Sequence, residues 1–88
     1  MYYVYIIESI NRGDVYTGFT TDLRKRIKDH NAGLSPSTKR YMPWRLIYYE
    51  ACLDKKDAER REGYLKTSGG RRVMKLRLKE YFYKKIDK

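Results

Sequence analysis

Seven residues near the start, Tyr2 to Glu8 (YYVYIIE), are aromatic or β-branched almost without interruption. A run of that kind favours extended chain. Successive side chains of a strand point to opposite faces, so Tyr3, Tyr5 and Ile7 line one face while Tyr2, Val4 and Ile6 line the other. A strand that is apolar on both faces must be covered on both, which places it centrally in a sheet. In a chain of 88 residues, only about 60–65% of the unfolded surface can be buried, which leaves room for one core.

The rest of the chain supplies partners for that strand. Ser9 to Asp14 is polar and contains Gly13, and Val15 to Phe19 returns to the β-prone pattern, so the two segments form a hairpin. Thr20 or Thr21 is placed to cap a helix carrying Leu23, Ile27 and His30, with Gly33 as its stop. Residues 33–43 (GLSPSTKRYMP) hold both prolines and predict an exposed loop. Trp44 to Cys52 predicts a third strand. Asp54 is the expected N-cap of a helix over 55–66, with Asp57 in the position of a capping-box acid. Thr67 to Gly70 then break the helix, and a last one over 71–84 buries Met74, Leu78, Tyr81 and Phe82 while Arg72, Lys75 and Lys79 stay outside. The expected fold is α+β: a small, three-stranded, largely antiparallel sheet with helices packed on it, in the order ββαβαα, as one domain over residues 1–88.

Charge narrows the partner. Lysine and arginine number 21 against 11 acidic residues, a formal excess of +10. A polyanion gains most from such an excess, because binding releases its counterions. Nucleic acid is therefore the expected partner, and a membrane is not, since the cations are scattered along the chain and form no block beside an apolar helix. The apolar start is too short for a signal sequence and runs into Glu8. Cys52 is the only cysteine, so neither an internal disulfide nor a thiolate metal cluster can form, and the expected location is the cytoplasm.

Several polar residues stand where apolar ones are expected. On the helix over 55–66, Glu62 lies four residues from Ala58 and three from Leu65, on the inward stripe. A carboxylate there needs a cation, a hydrogen-bond network or water in a cleft; Arg61, Lys66 or an arginine of another element could provide it. Arg26 and His30 flank the stripe made by Leu23 and Ile27, so both can lean toward the sheet, although each alone would also suit an ordinary helix surface. Tyr5 and Tyr16 come from the two strands of the hairpin and can share a face, as packing residues or as chemical ones. Gly18 marks a bulge or a close backbone approach.

Together these positions resemble the GIY-YIG nuclease family, whose two strand motifs stand here as Tyr3-Val4-Tyr5 and Tyr16-Thr17-Gly18. The family places an arginine ten residues beyond the second tyrosine and often a histidine four further on, matched by Arg26 and His30. It expects a glutamate on the next long helix, matched by Glu62 within AERREGYLK. The likeness covers residues 3 to 66, and the closing KTSGGRR and basic helix look like its small stand-alone members. Tyr3, Val4 and Thr17 depart from the motif names at backbone and packing positions, and Phe19 stands where some excision-repair relatives carry a lysine.

The resemblance implies an endonuclease that hydrolyses phosphodiester bonds in nucleic acid, DNA in the first instance, with a part in DNA repair among the family's roles. It implies one divalent cation, Mg²⁺ or Mn²⁺, on Glu62, since the chain offers a single converging carboxylate and not the several that a two-metal site needs. Arg26 would hold the scissile phosphate. A tyrosine, either Tyr5 or Tyr16, would assist the attacking water, with His30 as its hydrogen-bond partner or positioning group. Ser37, Thr38, Lys39 and Arg40 in the loop, and Lys66, Arg71 and Arg72 before the last helix, suit phosphate contacts that position a strand without reading its sequence. Two alternatives carry different consequences: a non-catalytic nucleic-acid-binding module on the same frame, and an RNA-binding sheet using its strand aromatics. A protein partner that supplies targeting is compatible with either.

Overall fold

In the computed structural model residues 1–86 are described, with side chains to 84. The elements are β1 (Tyr2–Ser9), β2 (Val15–Thr20), α1 (Leu23–Asn31), a 3₁₀ turn at Lys39–Tyr41, β3 (Trp44–Cys52), α2 (Lys55–Leu65), α3 (Ser68–Arg77) and α4 (Lys79–Ile86). The strands form one sheet in the order β2-β1-β3, antiparallel throughout. β1 is central, as its two apolar faces require. Its hairpin with β2 closes through hydrogen bonds from Gly13 N to the Ser9 carbonyl and from Ser9 N to the Asp14 carbonyl, and Gly13 sits at φ 79°, a conformation that suits glycine.

The alternation of β1 separates two cores. Val4 and Ile6 pack with Ala58, Leu65 and Met74 from α2 and α3. Tyr5 and Ile7 pack on the other face with Trp44, and Leu23 and Ile27 of α1 close over them. A register shift between Ile6 and Ile7 skips Ile47 on β3, and Ile47 packs on the Val4 side. Helices therefore cover both faces, which a central strand in a chain this small demands.

Four local expectations change. Asp22, not Thr20 or Thr21, caps α1 by accepting from Lys25 N, while Thr20 Oγ1 accepts from Asp22 N and shapes the entry. Asp54 caps α2 as expected, but Asp57 turns outward to Arg60 at 2.7 Å and forms no capping box. The expected break over 67–70 lasts only two residues: Thr67 caps α3 through Gly70 N, so both Gly69 and Gly70 are helical. The corner is that tight because a Cβ on Gly70 would collide with the Tyr64 carbonyl at the end of α2. Finally, the last helix divides at Leu78, the C-cap of α3, into α3 and α4. Met74 is buried, and Leu78, Tyr81 and Phe82 are half-buried.

Candidate active site

The register of the hairpin puts Tyr5 opposite Gly18 and Ile7 opposite Tyr16, so the two tyrosines share the face that α1 covers. Tyr5 crosses directly over Gly18, where any Cβ would collide with the phenol ring. Gly18 is thus required for packing and not for an unusual backbone angle, since its φ is not positive. From α1, one turn apart, Arg26 and His30 reach the same phenol. Arg26 Nε donates to the Tyr5 hydroxyl at 3.3 Å, and His30 Nε2 lies 2.7 Å from it.

His30 is completely buried, and its other nitrogen, Nδ1, lies 2.7 Å from Thr38 Oγ1. Thr38 Oγ1 in turn donates to the Ser35 carbonyl at 3.4 Å, and the Trp44 indole donates to the Thr38 carbonyl at 2.9 Å. A single direction of donation satisfies every member: Arg26 to Tyr5, Tyr5 to His30 Nε2, His30 Nδ1–H to Thr38, Thr38 to Ser35. The network assigns a neutral imidazole with its proton on Nδ1. Leaving a buried nitrogen without a partner would cost about 1–3 kcal/mol, and none of the described buried side-chain polar atoms is left so.

Thr38 therefore corrects an expectation. Assigned to phosphate contact on the strength of its exposed-looking loop, it is 1% exposed and serves as the support of His30. The loop folds inward there because a 3₁₀ turn over Lys39–Tyr41 follows and Asn31 clamps Trp44 through both its backbone nitrogen and its carbonyl. Ser37, Lys39 and Arg40 remain exposed on that loop, and Lys66, Arg71 and Arg72 are exposed around the α2–α3 corner. Asn31 and Thr38 were not legible as site supports, since a helix-end asparagine and a loop threonine have many ordinary uses.

Burial sets the protonation of the centre. It lowers the pKa of His30 from 6.5, and the nearby Arg26 charge lowers it further. Burial raises the Tyr5 phenol above 10.0, against the opposing hydrogen bond and charge of Arg26, and Glu62 adds to the rise. Tyr5 is thus a neutral donor at neutral pH. A histidine whose folded pKa lies below its unfolded value stabilises the native state above pH 6.5, and that stability drains as pH falls from 6.5 toward the folded pKa. Thermal melting between pH 7 and pH 5 is expected to show this loss and His30→Gln to remove its share, whereas an identical pH slope in the variant would contradict the buried neutral imidazole.

Glu62 comes from α2 at the β2 side, where its field is felt at the Tyr5 phenol. It is only partly buried, and its charge meets Lys66 Nζ at 3.2 Å, one turn along. Arg61 turns instead to Glu50 at 3.0 Å. Lys66 also stands 6.0 Å from the centre of the Tyr16 ring, and Tyr16 touches His30 edge-on with centroids 5.4 Å apart. Glu59, the neighbouring acid, is exposed. Arg26, His30, Tyr5 and Tyr16 thus gather between α1 and the sheet, while Glu62 on α2 is linked to them by its field at Tyr5 and through Lys66, which stands between it and the Tyr16 ring. No cluster of three or more histidine, cysteine or acidic residues occurs among the described residues. The donor set still fits a hard divalent ion, since such an ion binds protein through one or two carboxylates and keeps waters and phosphate oxygens as its other ligands.

The model of the GIY-YIG catalytic domain matches residues 1–77, and the chain belongs to the GIY-YIG family. UPF0213 proteins of Streptococcus pyogenes serotypes M3 and M1 are each 46% identical to it over 57 residues, 64% of this chain and 60% of theirs. The chain matches about 60% of the length of those relatives. The solution NMR structure of the UPF0213 protein BH0048 from Bacillus halodurans is 38% identical, with a TM-score of 0.53 over 90% of this chain and 86% of that one. Among the described residues no helix is long and apolar enough to cross a membrane.

Proposed function

We propose that the chain is a metal-dependent endonuclease hydrolysing phosphodiester bonds in nucleic acid, DNA in the first instance. The observation that carries this reading is the meeting of Arg26, Tyr5, Tyr16 and His30, with the carboxylate of Glu62 linked to them through Lys66 and through its field at Tyr5. Phosphodiester hydrolysis needs an oriented water, neutralised phosphoryl oxygens and help for the departing oxygen. Arg26 keeps its Nε on Tyr5 and has its remaining guanidinium donors for a phosphate, whose two oxygens a planar fork can take together.

The two phenols divide the work. Tyr5 is fully buried with its hydroxyl engaged by His30 and Arg26, so it acts as a positioning residue. Tyr16 is partly open to solvent, and it is the phenol that an attacking water can reach. Its hydroxyl accepts a hydrogen bond from that water and orients it for attack, and the water's proton leaves to bulk solvent as the bond to phosphorus forms. Glu62 would hold Mg²⁺ or Mn²⁺, which when bound supplies charge neutralisation at the phosphate and at the leaving oxygen. Lys66 must release Glu62 for this and then stands ready for a neighbouring phosphate.

The ion pair between Lys66 and Glu62 also favours one rival, a nucleic-acid-binding module whose acid is permanently occupied. Purified protein incubated with single-stranded, duplex and branched DNA and with RNA, in Mg²⁺, Mn²⁺ or EDTA, distinguishes them. Strand scission that requires the metal is the expected result; binding to every substrate without scission of any would establish the module.

A further inference from the structure

Beyond the catalytic group, the molecule has an open groove of about 510 Å³ between the start of the hairpin and α3–α4. Its size lies in the range of roughly 300–1,000 Å³ typical of small-ligand sites. Leu65, Met74 and Leu78 give it an apolar floor, and Lys66, Arg71 and Lys75 line it with positive charge. Among the described residues of its wall the one acid, Glu8, is 1% exposed and accepts a hydrogen bond from the Tyr81 hydroxyl. Arg71 and Lys75 form no ion pair with a described residue.

The groove runs into the site already described, because Tyr16 and Lys66 belong to both. An apolar cleft lined by Lys66, and by Arg71 and Lys75 that pair with no described acid, and joined to a phosphate-handling centre complements a nucleotide: apolar base faces within, phosphates at the rim. A base inside a continuous duplex keeps both faces in the stack and cannot enter unless it is extruded, which costs least where it is already unpaired. We propose that this groove holds the base and sugar of one unstacked nucleotide next to the phosphate to be cut, so that unpaired or frayed ends are preferred to continuous duplex. This rests on the nuclease reading of the neighbouring site.

The probe is a nicked DNA duplex with a single unpaired 2-aminopurine at the nick, compared with the same duplex in which that base is paired. In EDTA, the unpaired base is expected to change fluorescence on binding and the paired one not to. Val15 lies at the groove wall and is 47% exposed, so Val15→Trp can fill the mouth without entering the core. It should weaken binding of the unpaired probe about tenfold, the order of one lost base contact, while affinity for the paired duplex stays within about twofold and the melting temperature is kept. Lys75→Ala, on the exposed face of α3, should weaken the unpaired probe with a shallower salt dependence.

Equal fluorescence with both probes, together with no effect of either substitution, would overturn the groove proposal; metal-dependent cleavage in the same samples would leave the nuclease reading standing. Uptake of the unpaired base without scission in any metal would uphold the groove and remove the catalytic reading. A change of mass in solution on Val15→Trp, with nucleic-acid binding untouched, would assign the groove to a protein contact and overturn the proposal.

Discussion

Glu62→Gln is expected to lower metal-dependent cleavage by about a thousandfold or more, corresponding to roughly 4 kcal/mol of lost transition-state stabilisation. The amide keeps the shape of the side chain and removes the charge that would bind a divalent ion. The fold should survive, because the partly exposed one-turn pair with Lys66 is worth at most about 0.5 kcal/mol. Affinity for nucleic acid in EDTA should hold or rise, since one negative charge leaves a basic surface and Lys66 is released. Single-turnover cleavage in Mg²⁺ and Mn²⁺, alongside melting and binding in EDTA, reads all three. Full activity in the variant would falsify the assignment of the metal to this acid.

Arg26→Lys is expected to cost about 10²–10³ in the rate of the chemical step, on the scale of losing a donor aimed at developing charge. Lysine keeps the charge but loses the fork, and with it the ability to hold Tyr5 through Nε while offering other donors to a phosphate. Rate loss at saturating substrate, with affinity weakened much less, is the signature of a group acting in the transition state. If lysine restored wild-type rates, charge alone would suffice and the planar geometry would have no role. The variant should also leave Tyr5 with one hydrogen bond fewer, so its melting temperature serves to separate misfolding from lost chemistry.

The opening hairpin and the centrality of β1 were legible because a strand's period is strict: an unbroken apolar run admits few environments. Arg26, His30 and Glu62 were legible as anomalies, polar groups beside or on helical stripes, and their spacing matched a family pattern. Each alone had an ordinary explanation. The structure decides for His30, whose burial and two ring hydrogen bonds exclude the role of a solvated helix-end residue. For Thr38 local composition misleads, because serine, threonine and proline in a loop suggest exposure while the hydroxyl is needed inside. At the α2–α3 corner glycine suggests a break, yet Gly70 is there for close packing between helices.

Periodicity, capping chemistry and motif spacing are properties of neighbouring residues, and they were enough to determine one sheet, its covering helices and which polar side chains were out of place. What only the tertiary structure decided was the pairing of distant groups: Tyr5 with His30, His30 with Thr38, Tyr16 with Lys66, and the groove beside them. The physical reason is range. Secondary structure follows from contacts within a few residues, whereas a proton network depends on ångström distances between elements, which are set only when both faces of β1 are packed.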